Sequence, residues 1–202
     1  ETHRTIARTC RDKGIDRELA KRHFAEILRI DAEDMDALDA LIRLHDEDGE
    51  TEALVGLLGR KADLVAEPLA RGDLLAWAGD LYATKLGKVD EAIGCFTGVL
   101  DLDPVNLRAI EALEGLYEKS ARWVDLVDVM GRKADVVGTP GERVAALKKK
   151  GLIQHERLGA TQDAVETFLE VLAVDASDVD AMRTLDRFYG AMEDWASQYD
   201  ML

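Results

Sequence analysis

Apolar residues recur at intervals of three and four along almost the whole chain. In "NLRAIEALEGLYEKSARW" they are Ala109, Ile110, Leu113, Leu116 and Tyr117, and in "VDEAIGCFTGVLDLDP" they are Ala92, Ile93, Phe96, Val99 and Leu100. That spacing puts them on one stripe of an α-helix, with the polar residues opposite. No stretch alternates in a sustained way with β-branched residues, so no sheet is expected. The pattern predicts twelve helices, at about 2–13, 16–30, 34–47, 51–65, 69–86, 89–101, 105–119, 122–136, 141–158, 161–174, 178–190 and 192–202. Short turns join them. Gly87 in "KLGKVD" suits the left-handed turn that ends a helix, and Pro104 in "DLDPVN" suits the first turn of the next.

The pattern also repeats. "GRKADLVAEP" begins at Gly59 and "GRKADVVGTP" at Gly131, a shift of 72 residues. At the same shift Phe24, Phe96 and Phe168 coincide, as do Leu28, Leu100 and Leu172, and Ala37, Ala109 and Ala181. Leu41, Leu113 and Leu185 follow, without a gap. The three prolines, Pro68, Pro104 and Pro140, divide the period into halves of 36 residues, each holding two amphipathic helices. A period in the tens of residues points to a stacked array of helical hairpins. The chain therefore reads as a single solenoid over 1–202, built of double repeats at 1–72, 73–144 and 145–202, the last truncated.

The stretch "AGDLYATKLGKVDEAIGCFTGVLDLDPVNLRA" resembles a tetratricopeptide repeat. Gly79 stands at the small position of the first helix and Tyr82 at the aromatic one, while Ala92, Phe96 and Pro104 fit the second half. One extra residue lies between Tyr82 and Gly87. The alternate half-unit is degenerate: it keeps Tyr117 but has Glu114 at the small position and Leu126 where alanine is usual. The resemblance implies an all-α right-handed superhelix of helix–turn–helix units, in which a small residue on one helix admits an aromatic ring from its partner.

It further implies that the first helix of each hairpin lines a concave groove that takes a peptide. By helical phase the groove candidates are Asp36, Asp39 and Arg43; then Asp73, Trp77, Asp80 and Thr84; then Arg108 and Glu111; then Lys148; and finally Arg183 and Arg187. Lys149, His155 and Glu118 fall close to the same face. Trp77 is either packed under an adjacent helix or a platform for a partner's side chain. The carboxylate clamp known in such repeats needs lysines and asparagines, and this chain has a single asparagine, Asn106, at a helix start. The candidate groove is acidic toward its beginning and basic toward its end, which suits a ligand with a basic segment followed by an acidic one.

Charge narrows the partners. Over 202 residues, 26 Lys and Arg stand against 41 Asp and Glu, for a net charge of −15. Such a field repels nucleic acid and anionic lipid; it serves either solubility alone or a surface complementary to a basic partner. No apolar run approaches the ~20 residues of a membrane helix. Two cysteines, Cys10 and Cys95, suggest no disulfide framework and fit a cytoplasmic setting, though a cysteine-poor periplasmic protein would look the same.

Sequence motifs for chemistry fail in turn. "DEDGE" around Gly49 would make a calcium loop only with carboxylates at both ends, where Leu44 and Val55 stand. "HERLG" at 155–159 has Gly159 where a zinc-protease helix needs its second histidine. Gly87–Lys88 lacks the remainder of a phosphate-binding loop. No catalytic residue, metal or cofactor is expected.

Two function classes follow: a non-catalytic scaffold that binds a protein or peptide segment, or a regulatory solenoid acting in cis on a larger enzyme or signalling protein. In the 72-residue register Leu202 matches Met130 and Glu1 matches Asp73, so the chain is expected to be part of a longer array. Trp195, Tyr199 and Leu202 would then be left uncovered, and end-to-end self-association is expected.

Overall fold

A computed structural model describes residues 2–13 and 16–192. They form eleven α-helices and, among the described residues, no strand. The twelfth expected helix, 192–202, lies outside them except for Met192, and so do Trp195, Tyr199 and Leu202. The chain divides into two compact units, Glu1–Pro104 and Val105–Leu202.

Unit 1 contains α1 (Thr2–Lys13), α2 (Arg17–Ile30), α3 (Met35–Glu47), α4 (Thr51–Leu64), α5 (Pro68–Leu81) and α6 (Val89–Leu102). Unit 2 contains α7 (Leu107–Lys119), α8 (Trp123–Val136), α9 (Pro140–Glu156), α10 (Thr161–Val174) and α11 (Val179–Ala191). Within each unit a helix packs chiefly on the helices just before and after it, the contact pattern of stacked hairpins. The expected all-α helix–turn–helix repeat is thus the observed fold.

The helix ends obey the 72-residue register. Asp34, Asn106 and Asp178 are N-caps whose side chains accept from the backbone N–H of Ala37, Ala109 and Ala181, filling one of the donors a helix start leaves open. Pro68 and Pro140 sit at the first positions of α5 and α9. Pro104 does not play that part: it lies in the turn before α7, because Asn106 caps that helix and delays its start. Gly87 takes the left-handed conformation expected of it, at φ 65°.

The extra residue between Tyr82 and Gly87 has a definite form. Residues Tyr82–Leu86 widen into a π-helical turn continuing α5, and the Lys88 N–H donates to Tyr82 O at 2.9 Å across it. At the corresponding end of α9 the Ala160 N–H donates to Gln154 O. In the alternate hairpins the turns close one residue tighter, Glu50 to His45 and Arg122 to Tyr117.

Each long hairpin is locked by a glycine facing a phenylalanine. A Cβ built on Gly79 would meet the Phe96 ring at 2.9 Å, and one on Gly151 would meet the Phe168 ring at 2.7 Å. Both rings are buried. This is the small-residue and aromatic pairing that the sequence resemblance implies.

Candidate interaction surface

In unit 1 the expected α3 residues come together. Asp36, Asp39 and Arg43 line a polar pocket of about 280 Å³ with Arg4 of α1 and the cap residue Asp34. Their spacing puts them on one helical stripe, and all three are exposed. Arg4 forms an ion pair with the buried Asp34 carboxylate, and Lys61 of α4 forms one with Asp39. The pocket therefore mixes three carboxylates with two guanidinium groups. It is not lined by the α5 candidates. Asp73 is exposed and Asp80 half-buried, while the Thr84 hydroxyl donates to the carbonyl of Asp80 at 2.6 Å.

Trp77 is half-buried and packs on the apolar cluster of Ile42, Leu54, Leu58 and Ala78. Its ring helps join α5 to the α3–α4 hairpin. In the 72-residue register Trp77 corresponds to Lys149 and Ile42 to Glu114, and there the junction is ionic. Lys149 of α9 donates to Glu114 at 2.7 Å and to Glu118 at 2.8 Å, while Lys133 of α8 donates to Glu114 at 2.8 Å. Burial pushes the Glu114 carboxyl up, but the hydrogen bonds from Lys133 and Lys149 outweigh it and hold it below the usual carboxylate range. Sequence reasoning missed this cluster, although the Lys61–Asp39 pair of unit 1 has its register counterpart in Lys133–Glu111, at 3.4 Å.

Other unit 2 candidates are distributed. Arg108, Glu111, Arg183 and Arg187 are exposed. Arg187 reaches the Thr184 hydroxyl at 3.5 Å, and Lys148 pairs with the cap residue Asp178 at 2.6 Å. The Lys148 hydrogen bond lowers the Asp178 pKa, so this lysine's charge is largely met within the unit.

A further cavity in unit 1 was not foreseen. About 700 Å³ opens among α2, α3 and α4, where Ala25, Ala53 and Gly56 leave room and Arg22, Arg29 and Arg60 stand at the rim. Beside it Lys21 is buried among Glu18 at 2.9 Å, Asp48 at 2.7 Å and Glu50 at 2.8 Å. Burial opposes the Lys21 charge, but these hydrogen bonds prevail and raise its pKa. The three carboxylates have the closeness of a cation site, and the ammonium of Lys21 is the cation within reach of all three. Its sequence signal is a lysine where the register has Ile93 and Val165.

No protein-family model matches the chain, and no curated protein matches it. Solved structures similar to it include the MamA protein, at 18% identity over 89% of this chain and 93% of that one, with a TM-score of 0.47. YrrB, a TPR protein with an unusual peptide-binding site, aligns at 13% identity over 88% and 87%, with a TM-score of 0.47. The first TPR of Spaghetti (RPAP3), bound to the HSP90 peptide SRMEEVD, aligns at 21% identity over 60% and 93%, with a TM-score of 0.40.

Proposed function

We propose that the chain is a non-catalytic protein-interaction scaffold whose first-helix face holds a peptide or protein segment with a basic stretch. The observation that carries this reading is the pocket of Asp36, Asp39 and Arg43 with Arg4 and Asp34, a polar site whose charged residues come from α1 and the start and face of α3, with Phe24 and Ile27 of α2 also lining it. A net charge of −15 supports a basic partner, with electrostatics setting association rate and register more than affinity. Among the described residues no helix is long and apolar enough to cross a membrane.

The test is selection from a displayed peptide library against the 202-residue chain, followed by binding kinetics. Selected peptides should be enriched in Lys and Arg. Their association with an Asp36→Lys, Asp73→Lys variant should be slower at low salt, and the difference should shrink as salt rises. Selected peptides without basic enrichment, or an unchanged association rate, would refute the acidic-face reading.

A further inference from the structure

Two histidines twenty residues apart in the sequence meet in unit 1. Nδ1 of His3 on α1 lies 2.7 Å from Nδ1 of His23 on α2, with ring centroids 5.0 Å apart and planes tilted by 51°. Both rings line a surface cavity of about 400 Å³ together with Leu19, Arg22 and Glu26. The two Nδ1 atoms face each other across a hydrogen bond, in which one ring donates and the other accepts. Glu26 lies one helical turn from His23. Its carboxylate accepts a hydrogen bond from Nε of Arg29 at 2.8 Å.

Packing does not require imidazoles here. In the 72-residue register His3 corresponds to Leu75 and Leu147 and His23 to Cys95 and Thr167, so the same positions elsewhere in the fold hold an aliphatic side chain and a small thiol or hydroxyl. Polar rings at such positions need another reason. We propose that His3 and His23 form a binding site for a divalent transition-metal ion of the zinc and nickel class, through their Nδ1 atoms, with water completing the shell.

Neutral imidazole is a preferred ligand for these ions, whereas calcium and magnesium favour oxygen. A tetrahedral ion with metal–nitrogen bonds of about 2.0–2.1 Å spaces its two nitrogens by about 3.3 Å. The rings meet head-on, so each must turn as well as part from 2.7 Å for both nitrogens to face the ion. Arg22 at the cavity opposes a cation and Glu26 is already bonded to Arg29, so the imidazole nitrogens are what would hold the ion. The acidic trio of Glu18, Asp48 and Glu50 is not a competitor, because Lys21 is already bonded to all three.

Calorimetric titration of the 202-residue chain with Zn²⁺ and Ni²⁺, and with Mg²⁺ as control, tests the proposal. Saturable binding of one Zn²⁺ or Ni²⁺ is expected, and none of Mg²⁺. His3→Gln and His23→Gln should each weaken it by no less than about tenfold, the lower end of what losing even an outer-shell partner costs. His45→Gln and His155→Gln should leave it unchanged. Imidazole NMR of the unmodified chain gives a readout independent of how the variants fold: His3 and His23 resonances should move first on adding Zn²⁺. No saturable binding at millimolar metal, binding that survives both His3→Gln and His23→Gln, or first movement at His45 or His155 would overturn the proposal.

Discussion

The α-carbon of Gly151 lies so close to the ring of Phe168 that a methyl group there would sit 2.7 Å from the ring edge. Gly115, half a repeat earlier, has nothing within 4 Å of the same point and is exposed. Both are helical glycines, so intrinsic propensity favours alanine at each by roughly 0.5–1 kcal/mol. Only at Gly151 does packing oppose it. Gly151→Ala should lower stability by about 1–3 kcal/mol through overpacking, while Gly115→Ala should raise it slightly. Chemical denaturation of the two variants measures the contrast, and equal effects would show that the glycine–phenylalanine contact does not set the hairpin spacing. At the equivalent hairpin, Phe96→Ala should cost about 3–5 kcal/mol.

Ala121 is the one described non-glycine residue with positive φ, at 55°, and its register counterpart is Gly49 at 70°. An L-residue pays roughly 1–2 kcal/mol for that conformation. Ala121→Gly should therefore stabilise unit 2, by about 1 kcal/mol at most once the greater freedom of glycine in the unfolded chain is counted. A rise in denaturation midpoint checks it.

Glu114 joins α7 to both α8 and α9, in the place where Ile42 and Trp77 make an apolar junction. Glu114→Ala should destabilise by about 1–3 kcal/mol, the range for a lost charged hydrogen bond. The paired change Glu114→Ile with Lys149→Trp copies the other junction and should cost less than the sum of the single changes. Because the folded state lowers the Glu114 pKa, its contribution is present above the unfolded value of about 4.3 and fades as pH falls through the folded value. The stability gap between wild type and Glu114→Gln should hold at pH 7 and close in acid.

Lys21 is bonded to three carboxylates. Lys21→Ala should leave Glu18, Asp48 and Glu50 to repel one another and destabilise unit 1. It should also create a cation dependence that the wild type lacks: millimolar Ca²⁺ should restore part of the lost melting temperature. Restoration by NaCl of equal ionic strength would assign the effect to screening instead.

How much of this was legible in the sequence depended on range. Helices follow from spacing three and four, which acts locally, so among the described residues their boundaries agree within about two residues once the π-helical turn is counted with α5. The 72-residue register also exposed the packing residues Phe96 and Phe168, and the tetratricopeptide resemblance pointed to Gly79. Contacts between residues far apart in sequence and without register counterparts stayed hidden, as with His3 and His23 or Lys21 and its acids. Pro104 was misplaced because Asn106, two residues later, wins the helix start. The phase argument did gather Asp36, Asp39 and Arg43, whereas Trp77 is partly consumed by packing on the Ile42 cluster.

Photo-crosslinking from single positions tests the scaffold reading most directly. A photoreactive residue replaces Arg43, on the α3 pocket, or Leu169, exposed on the second helix of its hairpin, and a peptide selected by display is the ligand. A segment held by the first-helix face should crosslink from position 43, lose that crosslink when unlabelled peptide competes, and give none from position 169. Crosslinking from position 169 with none from position 43 would contradict the proposed interaction face.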